Sequence, residues 1–274
     1  MTTAESTTRA PIVADGIAYW EKQPATVDGV LGGYGTGSLP RIETLGSRQF
    51  LLHLRPDLST VPSALRPLKP SPKTRRVRAL DVGAGVGRVT ADTLLHLVDD
   101  VVLVEPVEKL LDVARQNAPG FKGIASGTKS VTIMRGTLQD FDLAHPTAHA
   151  TVLERFGHKG EEDDMDSGFD VVWCQWCLMY MSDADLVGFF QRAKKALRDE
   201  RGLIIVKENT GIDGVGKDGQ PVPHVYFDED DSSVARSDLA FKELFRKAGL
   251  TLVDERVQNG LPQELYTVKM YAVR

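Results

Sequence analysis

The 274-residue chain has few cysteines, no long apolar run and no basic excess, and each shortage excludes a class of protein. Cys174 and Cys177 lack the second pair that a structural zinc site needs, so we expect two buried thiols in a reducing compartment, with a redox pair as the alternative. No apolar segment approaches the roughly 20 residues of a membrane span, and the N terminus has no apolar signal core. We therefore expect a cytoplasmic protein, and we leave open a nuclear location in addition. The formal net charge of −5 argues against a dedicated nucleic-acid-binding protein.

From about residue 77 onward, short apolar runs alternate with segments of helical periodicity. The predicted strands are 77–83, 101–106, 131–136, 169–180, 202–209, 250–257 and 266–274. The predicted helices are 87–98, 107–118, 183–198 and 237–249. This pattern predicts an α/β fold with a seven-stranded, mostly parallel sheet, helices on both faces and an antiparallel C-terminal edge hairpin. That architecture is typical of the class I S-adenosylmethionine-dependent methyltransferases.

The sequence divides into an extension and one main domain. Residues 1–76 predict an N-terminal helical extension around a glycine-rich turn, followed by a basic, proline-rich linker that we interpret as solvated. Residues 77–274 predict the methyltransferase domain. Within it, the polar segment 142–168 predicts an irregular surface insertion. The segment 210–231 follows a strand, where loops cover the ligand crevice of such sheets, and it predicts a substrate loop.

A glycine-rich loop, "LDVGAGVGRVT", places Gly83 and Gly85 between a strand and a helix, where the backbone can approach a cofactor closely. A dinucleotide fingerprint would need glycine at position 88, which is Arg88, and this disfavours an NAD-dependent oxidoreductase. Glu105 ends the next strand, where a carboxylate can accept both ribose hydroxyls. Because a guanidinium matches a carboxylate bidentately, Arg88 favours S-adenosylmethionine as the cofactor.

Seven motifs in a fixed order carry a resemblance to a known family. They are "YWEKQPATVDGVLGGYG", "ALDVGAGVGRVT", "LQDF", "VVWCQWCL", "IIVKEN", "DDSSVARS" and "LPQELYTV". Together they resemble the eukaryotic protein α-N-terminal methyltransferases, which modify N-termini that expose Xaa-Pro-Lys or Xaa-Pro-Arg. The resemblance covers residues 15–60 and 77–274. It implies ribosomal proteins among the substrates and S-adenosylmethionine as the methyl donor, and we expect a monomer.

The resemblance implies a peptide channel beside the cofactor. Trp176, Leu31 and Leu265 would form the pocket for the substrate's proline, because an indole face packs well on a pyrrolidine ring. Tyr19 would close over the site, and Tyr266 would hold the peptide backbone.

Further residues are implied to contact the cofactor. Trp20 and Gln175 match cofactor contacts, while Leu138 and Gln139 of "LQDF" lie where such folds hold the adenine. Trp173 is expected to point away from Trp176 into the core, since the two are three residues apart on a predicted strand.

The resemblance also implies the catalytic groups. Asp231 would accept the proton of the substrate's α-amino group, so that the neutral amine attacks the methyl group in line, with Asn209 as its companion. Tyr180 stands where the family commonly has histidine. Because a tyrosine is a poor base at neutral pH, we expect Asp231 to be the base. Asp228 and Ser233 would receive the substrate's third-position Lys or Arg. No metal is expected.

Two other functions fit the same fold. A methyltransferase for small-molecule amines or acids would have no reason for an acidic rim. A binding protein that has lost activity would not need the glycine loop, Arg88, Glu105, Asn209 and Asp231 together.

Overall fold

The computed structural model describes residues 9–61, 75–160 and 164–274, and its centre is a twisted sheet. The strands are β1 (Arg78–Val82), β2 (Asp100–Glu105), β3 (Ser130–Arg135), β4 (Thr151–Gly157), β5 (Val171–Gln175), β6 (Leu203–Gly211), β7 (Gly214–Val215), β8 (Pro221–Val222), β9 (Val225–Asp228), β10 (Ser233–Ser237), β11 (Leu252–Val257) and β12 (Thr267–Val273). The main sheet runs β11-β12-β6-β5-β1-β2-β3-β4. Strand order reverses at β1, and ligand crevices form beyond the carboxyl ends of the strands at such a point.

The five inner strands β3, β2, β1, β5 and β6 are parallel, while β12 runs antiparallel to both β6 and β11. The predicted fold class and its antiparallel C-terminal hairpin are therefore confirmed. The expected strand count is wrong, because β4 adds an antiparallel edge strand beside β3 and the β9–β10 hairpin joins the end of β6.

The helices cover both faces of the sheet. They are α1 (Val13–Lys22), α2 (Val27–Val30), α3 (Leu39–Leu54), α4 (Arg88–Asp92), α5 (Glu108–Asn117), α6 (Asp183–Lys195) and α7 (Asp238–Lys247). One core cluster joins α6 and α7 to the sheet, and the other joins α3 and α5 to the opposite face. Neighbouring residues of β1 enter different clusters, Ala79 one and Leu80 the other, as strand alternation requires. The single helix predicted over 87–98 is instead α4 followed by a 3₁₀ turn at Leu94–His96.

The interpretation of 142–168 as irregular is wrong for its middle part, which forms β4. Leu153 and Phe156 of this strand are half-buried and pack against the core, whereas Thr151, Val152 and Gly157 are exposed. An edge strand buries little and tolerates charge, so its sequence carries a weak apolar signal.

Two further segments differ from their sequence interpretation. The segment 210–231, predicted as a loop, contains the hairpin β7–β8 and the strand β9. In the basic linker, Arg75 bonds Asp170 at 2.8 Å and Arg76 bonds Asp100 at 2.7 Å, so its last residues are tied to the sheet. Residues 62–74 of the linker lie outside the described residues. In the described ranges, no helix has the length and apolar character needed to cross a membrane.

Candidate active site

A pocket of about 450 Å³ opens at the carboxyl end of β1, between the N-terminal helices and the sheet. All but two of the residues predicted for the site line this pocket. They are Tyr19, Trp20, Leu31, Gly83, Gly85, Arg88, Glu105, Leu138, Gln139, Gln175, Trp176, Tyr180, Asn209, Asp231, Leu265 and Tyr266.

The glycine loop and Glu105 form one end of the pocket. Gly83 and Gly85 have φ of 61° and 56°, and a Cβ on Gly83 would lie 2.3 Å from the Cβ of Cys177, so only glycine fits there. The Glu105 carboxylate accepts N–H bonds from Gly85 and Val107, both at 2.9 Å. Burial raises the pKa of Glu105 to about 7. The loop is thereby fixed around a carboxylate that gains or loses its proton near neutral pH.

Arg88 begins α4 and lies at the floor of the pocket, where burial lowers its pKa to about 10. Its guanidinium donates to the carboxylate of Glu43, a fully buried residue of α3. Glu43 also accepts from the Gln175 amide at 2.9 Å. Sequence reasoning missed Glu43, although its spacing from Leu39 and Leu51 places it on the buried face of α3.

Trp176 projects from the first residue after β5 and not from the strand itself. Its φ of 54° is a left-handed conformation that a bulky residue rarely adopts. We expected strand alternation to point the two tryptophans in opposite directions, and this reason is wrong because Trp176 is not in the strand. The expected position of Trp173 is correct, since it is fully buried in the core. The Trp176 indole N–H is buried and has no hydrogen-bond partner among the described residues. A donor without a partner at a pocket wall suits a ligand that brings an acceptor.

A chain of hydrogen bonds crosses the pocket from the extension to the β9–β10 turn. The Trp20 indole donates to the Tyr180 hydroxyl at 2.9 Å, and that hydroxyl donates to Asp231 Oδ2 at 2.8 Å. The other Asp231 oxygen accepts the Ser233 N–H at 3.1 Å. Burial, followed by the charge of Asp231, raises the pKa of Tyr180 far above its ordinary value. Tyr180 is therefore a neutral donor that orients Asp231, and it cannot act as a base.

Asp228 and Ser233 do not line the pocket. Asp228 is exposed at the end of β9 and accepts the Asp230 N–H at 2.9 Å, which fixes the turn. Ser233 is buried at the start of β10. Beside Asp228, the Glu229 carboxylate lies 3.4 Å from the guanidinium of Arg9. Asp228 and Glu229 thus lie on a rim outside the pocket, and the role of Asp228 toward a substrate cation stays a prediction.

Other buried groups near the pocket carried no clear sequence signal. Asp81 lines it, and burial raises its pKa to about 7. Glu208, just before Asn209, accepts the N–H groups of Cys177 and Leu178, both at 2.9 Å, and holds the segment after β5 in place. Cys174 and Cys177 are free thiols, buried as expected, and burial raises their pKa.

These groups fit S-adenosylmethionine at both ends of that molecule. Glu105 lies at a strand end beside a glycine loop, which is the usual arrangement for ribose recognition. Arg88 offers a buried guanidinium for a carboxylate, and the acidic residues Asp81 and Glu105 line the same pocket. The fold and the pocket together define an S-adenosylmethionine-dependent methyltransferase.

Comparison with known proteins gives the family. The family described as AdoMet dependent proline di-methyltransferase matches residues 9–274, and the chain belongs to it. A protein of Arabidopsis thaliana named alpha N-terminal protein methyltransferase 1 is 36% identical over 260 residues, 94% of this chain and 78% of that protein. N-terminal Xaa-Pro-Lys N-methyltransferase 1 of Danio rerio is 34% identical over 256 residues, 93% of this chain and 92% of the relative. A solved SAM-dependent methyltransferase of Leishmania major superposes with a TM-score of 0.69 at 28% identity, covering 96% of this chain and 82% of that one.

Proposed function

We propose that this enzyme transfers methyl groups from S-adenosylmethionine to the free α-amino group of proteins that begin Xaa-Pro-Lys or Xaa-Pro-Arg. The observation that carries the proposal is the hydrogen-bonded chain from Trp20 through Tyr180 to Asp231, which aims one carboxylate into the cofactor pocket. Ribosomal proteins with such N-termini are the proposed targets, and the proposed active form is the monomer.

The chemistry of an α-amino group explains why this carboxylate is needed. An α-amino group has a pKa of about 7.7–8.0, so much of it enters the pocket as a cation. Asp231 attracts that cation and accepts a proton from it, and Asn209 also lines the pocket. When bound, the cofactor supplies the methyl group on a sulfonium that is already a good leaving group.

We assign the remaining lining residues to the peptide and the cofactor. Trp176, Leu31 and Leu265 all line the pocket, and we assign them to the proline ring, because an indole face packs well on such a ring. Tyr266 is 57% exposed at the mouth, where it can contact the peptide backbone.

On the cofactor side, Glu105 would hold the ribose and Arg88 the carboxylate, with Gln175 beside it. Leu138 and Gln139 would border the adenine. The Gln139 amide donates to the Tyr180 carbonyl at 3.1 Å, which links this wall to the segment that carries the catalytic chain.

A peptide that begins Ser-Pro-Lys and an otherwise identical N-acetylated peptide test the function. Each is incubated with the enzyme and S-adenosylmethionine, and its mass is measured. Methyl groups added to the free peptide alone are the expected result, and the mass gain counts them. Methylation of both peptides, or of neither while the cofactor binds, would contradict the proposal.

A further inference from the structure

A buried ionic cluster lies beneath the arginine side of the pocket. It consists of Glu43 from α3, Arg88 from α4 and Lys207 from β6. The side chains of Glu43 and Lys207 are 0% exposed and that of Arg88 is 6% exposed. Burying charges costs several kcal/mol per ion unless partners hold them in good geometry. The burial of these charges beside a cofactor pocket therefore calls for a functional explanation.

The Glu43 carboxylate is fixed from several sides. One oxygen accepts from Arg88, and the other accepts from Lys207 Nζ and the Gln175 amide, both at 2.9 Å. Lys207 in turn donates to Glu43 O and Ser47 Oγ, each at 2.9 Å. Three elements of secondary structure thus determine where the carboxylate lies, and the carboxylate determines where the Arg88 guanidinium lies.

The cluster sets two basic groups, Arg88 and Lys207, against the single carboxylate of Glu43. Burial, with Arg88 nearby, lowers the pKa of Lys207 well below its ordinary value. Of the three residues, only Arg88 lines the pocket. Its guanidinium is therefore the group of this cluster that a ligand in the pocket can reach, and the carboxylate of the cofactor is the matching group.

We propose that Glu43 is a positioning residue that holds the Arg88 guanidinium toward the carboxylate of S-adenosylmethionine. Because Glu43 belongs to α3, cofactor binding is then tied to the seating of the N-terminal extension, which also carries Trp20 and Leu31. This inference rests on the contact between Arg88 and the cofactor carboxylate proposed above.

The test measures affinity and not turnover. Calorimetric titration with S-adenosylmethionine is compared with titration with decarboxylated S-adenosylmethionine, which lacks the group that Arg88 would bind. For Glu43→Gln, which keeps the shape and removes the charge, we expect the Kd of S-adenosylmethionine to rise at least about tenfold. The Kd of the decarboxylated compound should change by less than about twofold. Glu43→Asp keeps the charge and should recover most of the affinity.

Asp57→Asn is the matched control. Asp57 lies beyond the far end of α3, where it pairs with Arg55 at 2.9 Å, so the variant loses a carboxylate that seats the same helix away from the pocket. We expect neither Kd to change. Equal losses for both ligands in Glu43→Gln would show a merely structural role and overturn the inference. Tighter binding of S-adenosylmethionine would also overturn it, since Glu43 would then compete for Arg88.

Arg88→Met separates this inference from the assignment on which it depends. If Arg88→Met weakens both ligands equally, the contact of Arg88 with the cofactor carboxylate is wrong. If Arg88→Met discriminates between the ligands and Glu43→Gln does not, only the role of Glu43 is wrong. Methylation of the Ser-Pro-Lys peptide by the unchanged enzyme is independent of both outcomes.

Discussion

Gly16 of α1 faces the ring of Tyr180, and a methyl group there should disable the enzyme without unfolding it. A Cβ at this position would lie 2.8 Å from Tyr180 Cδ1 and 3.3 Å from Cε1. Carbon atoms in contact prefer about 3.5–4.0 Å, so in Gly16→Ala the ring must move by about 0.7 Å or more. The Tyr180 hydroxyl has bonds of 2.8 Å to Asp231 and 2.9 Å from Trp20, and a shift of this size breaks or bends both.

The magnitude follows from the bond to the carboxylate. A hydrogen bond to a charged group contributes about 1.5–3 kcal/mol, so its loss from the oriented Asp231 should lower kcat about 10- to 100-fold. Alanine is also a better helix former than glycine by about 1 kcal/mol, which offsets part of the steric cost to stability. We therefore expect a large fall in turnover of the Ser-Pro-Lys peptide with little change in Tm.

Gly188→Ala in α6 is the control for helix propensity. Its nearest neighbour would be Arg192 Nη1 at 3.4 Å, an ordinary van der Waals contact, and Gly188 does not line the pocket. The Gly188→Ala variant should gain the same helix stability as Gly16→Ala and keep full activity. Unchanged turnover in Gly16→Ala would refute the reasoning that Tyr180 must stay where it is to orient Asp231.

Three other perturbations have expected outcomes. Asp231→Asn should keep the Kd of S-adenosylmethionine within about twofold and lower kcat at least about 100-fold, as for loss of a proton acceptor; unchanged kcat would remove Asp231 from the chemistry. Because burial raises the pKa of Glu105 to about 7, its carboxylate is protonated below that pH, so cofactor affinity should fall as pH drops from 8 to 6. The Glu105→Gln variant should bind S-adenosylmethionine weakly, and its affinity should depend less on pH. An unchanged pH dependence of the affinity would show that another group titrates. Asp228→Lys should raise the KM of a Ser-Pro-Lys peptide severalfold through charge repulsion and leave that of a Ser-Pro-Gln peptide unchanged, whereas equal KM values for parent and variant would exclude Asp228 from cation recognition.

Local patterns predicted the central sheet and the cofactor end of the pocket. The strands β1, β2, β3, β5 and β6 are buried on both faces, so their apolar runs can be recognised as strands from the local sequence alone. The edge strand β4, the β7–β8 hairpin and β9 bury little, and their sequences resemble loops. What decides their structure is pairing with a neighbour, which no local pattern contains.

The arrangement of side chains was harder to predict than their identity. Glu43 was missed because its partners, Arg88, Gln175 and Lys207, come from three other elements, and the polarity of one helical residue does not reveal them. The direction of Trp176 was predicted for the wrong reason, since strand alternation ended one residue earlier and a left-handed backbone set the indole instead.

The presence of tyrosine at position 180 is consistent with a site that depends on one carboxylate. A neutral tyrosine has a single proton, which it gives to Asp231, and its hydroxyl oxygen is occupied by the Trp20 indole. It therefore adds orientation but no second base. Gly16 provides the space for the ring, and Trp20 belongs to the same helix, so α1 both accommodates and fixes the group that aims Asp231. With the role that we propose for Asp231, the N-terminal extension contributes to catalysis, because α1 gives the Tyr180 ring its space and its bond to Trp20.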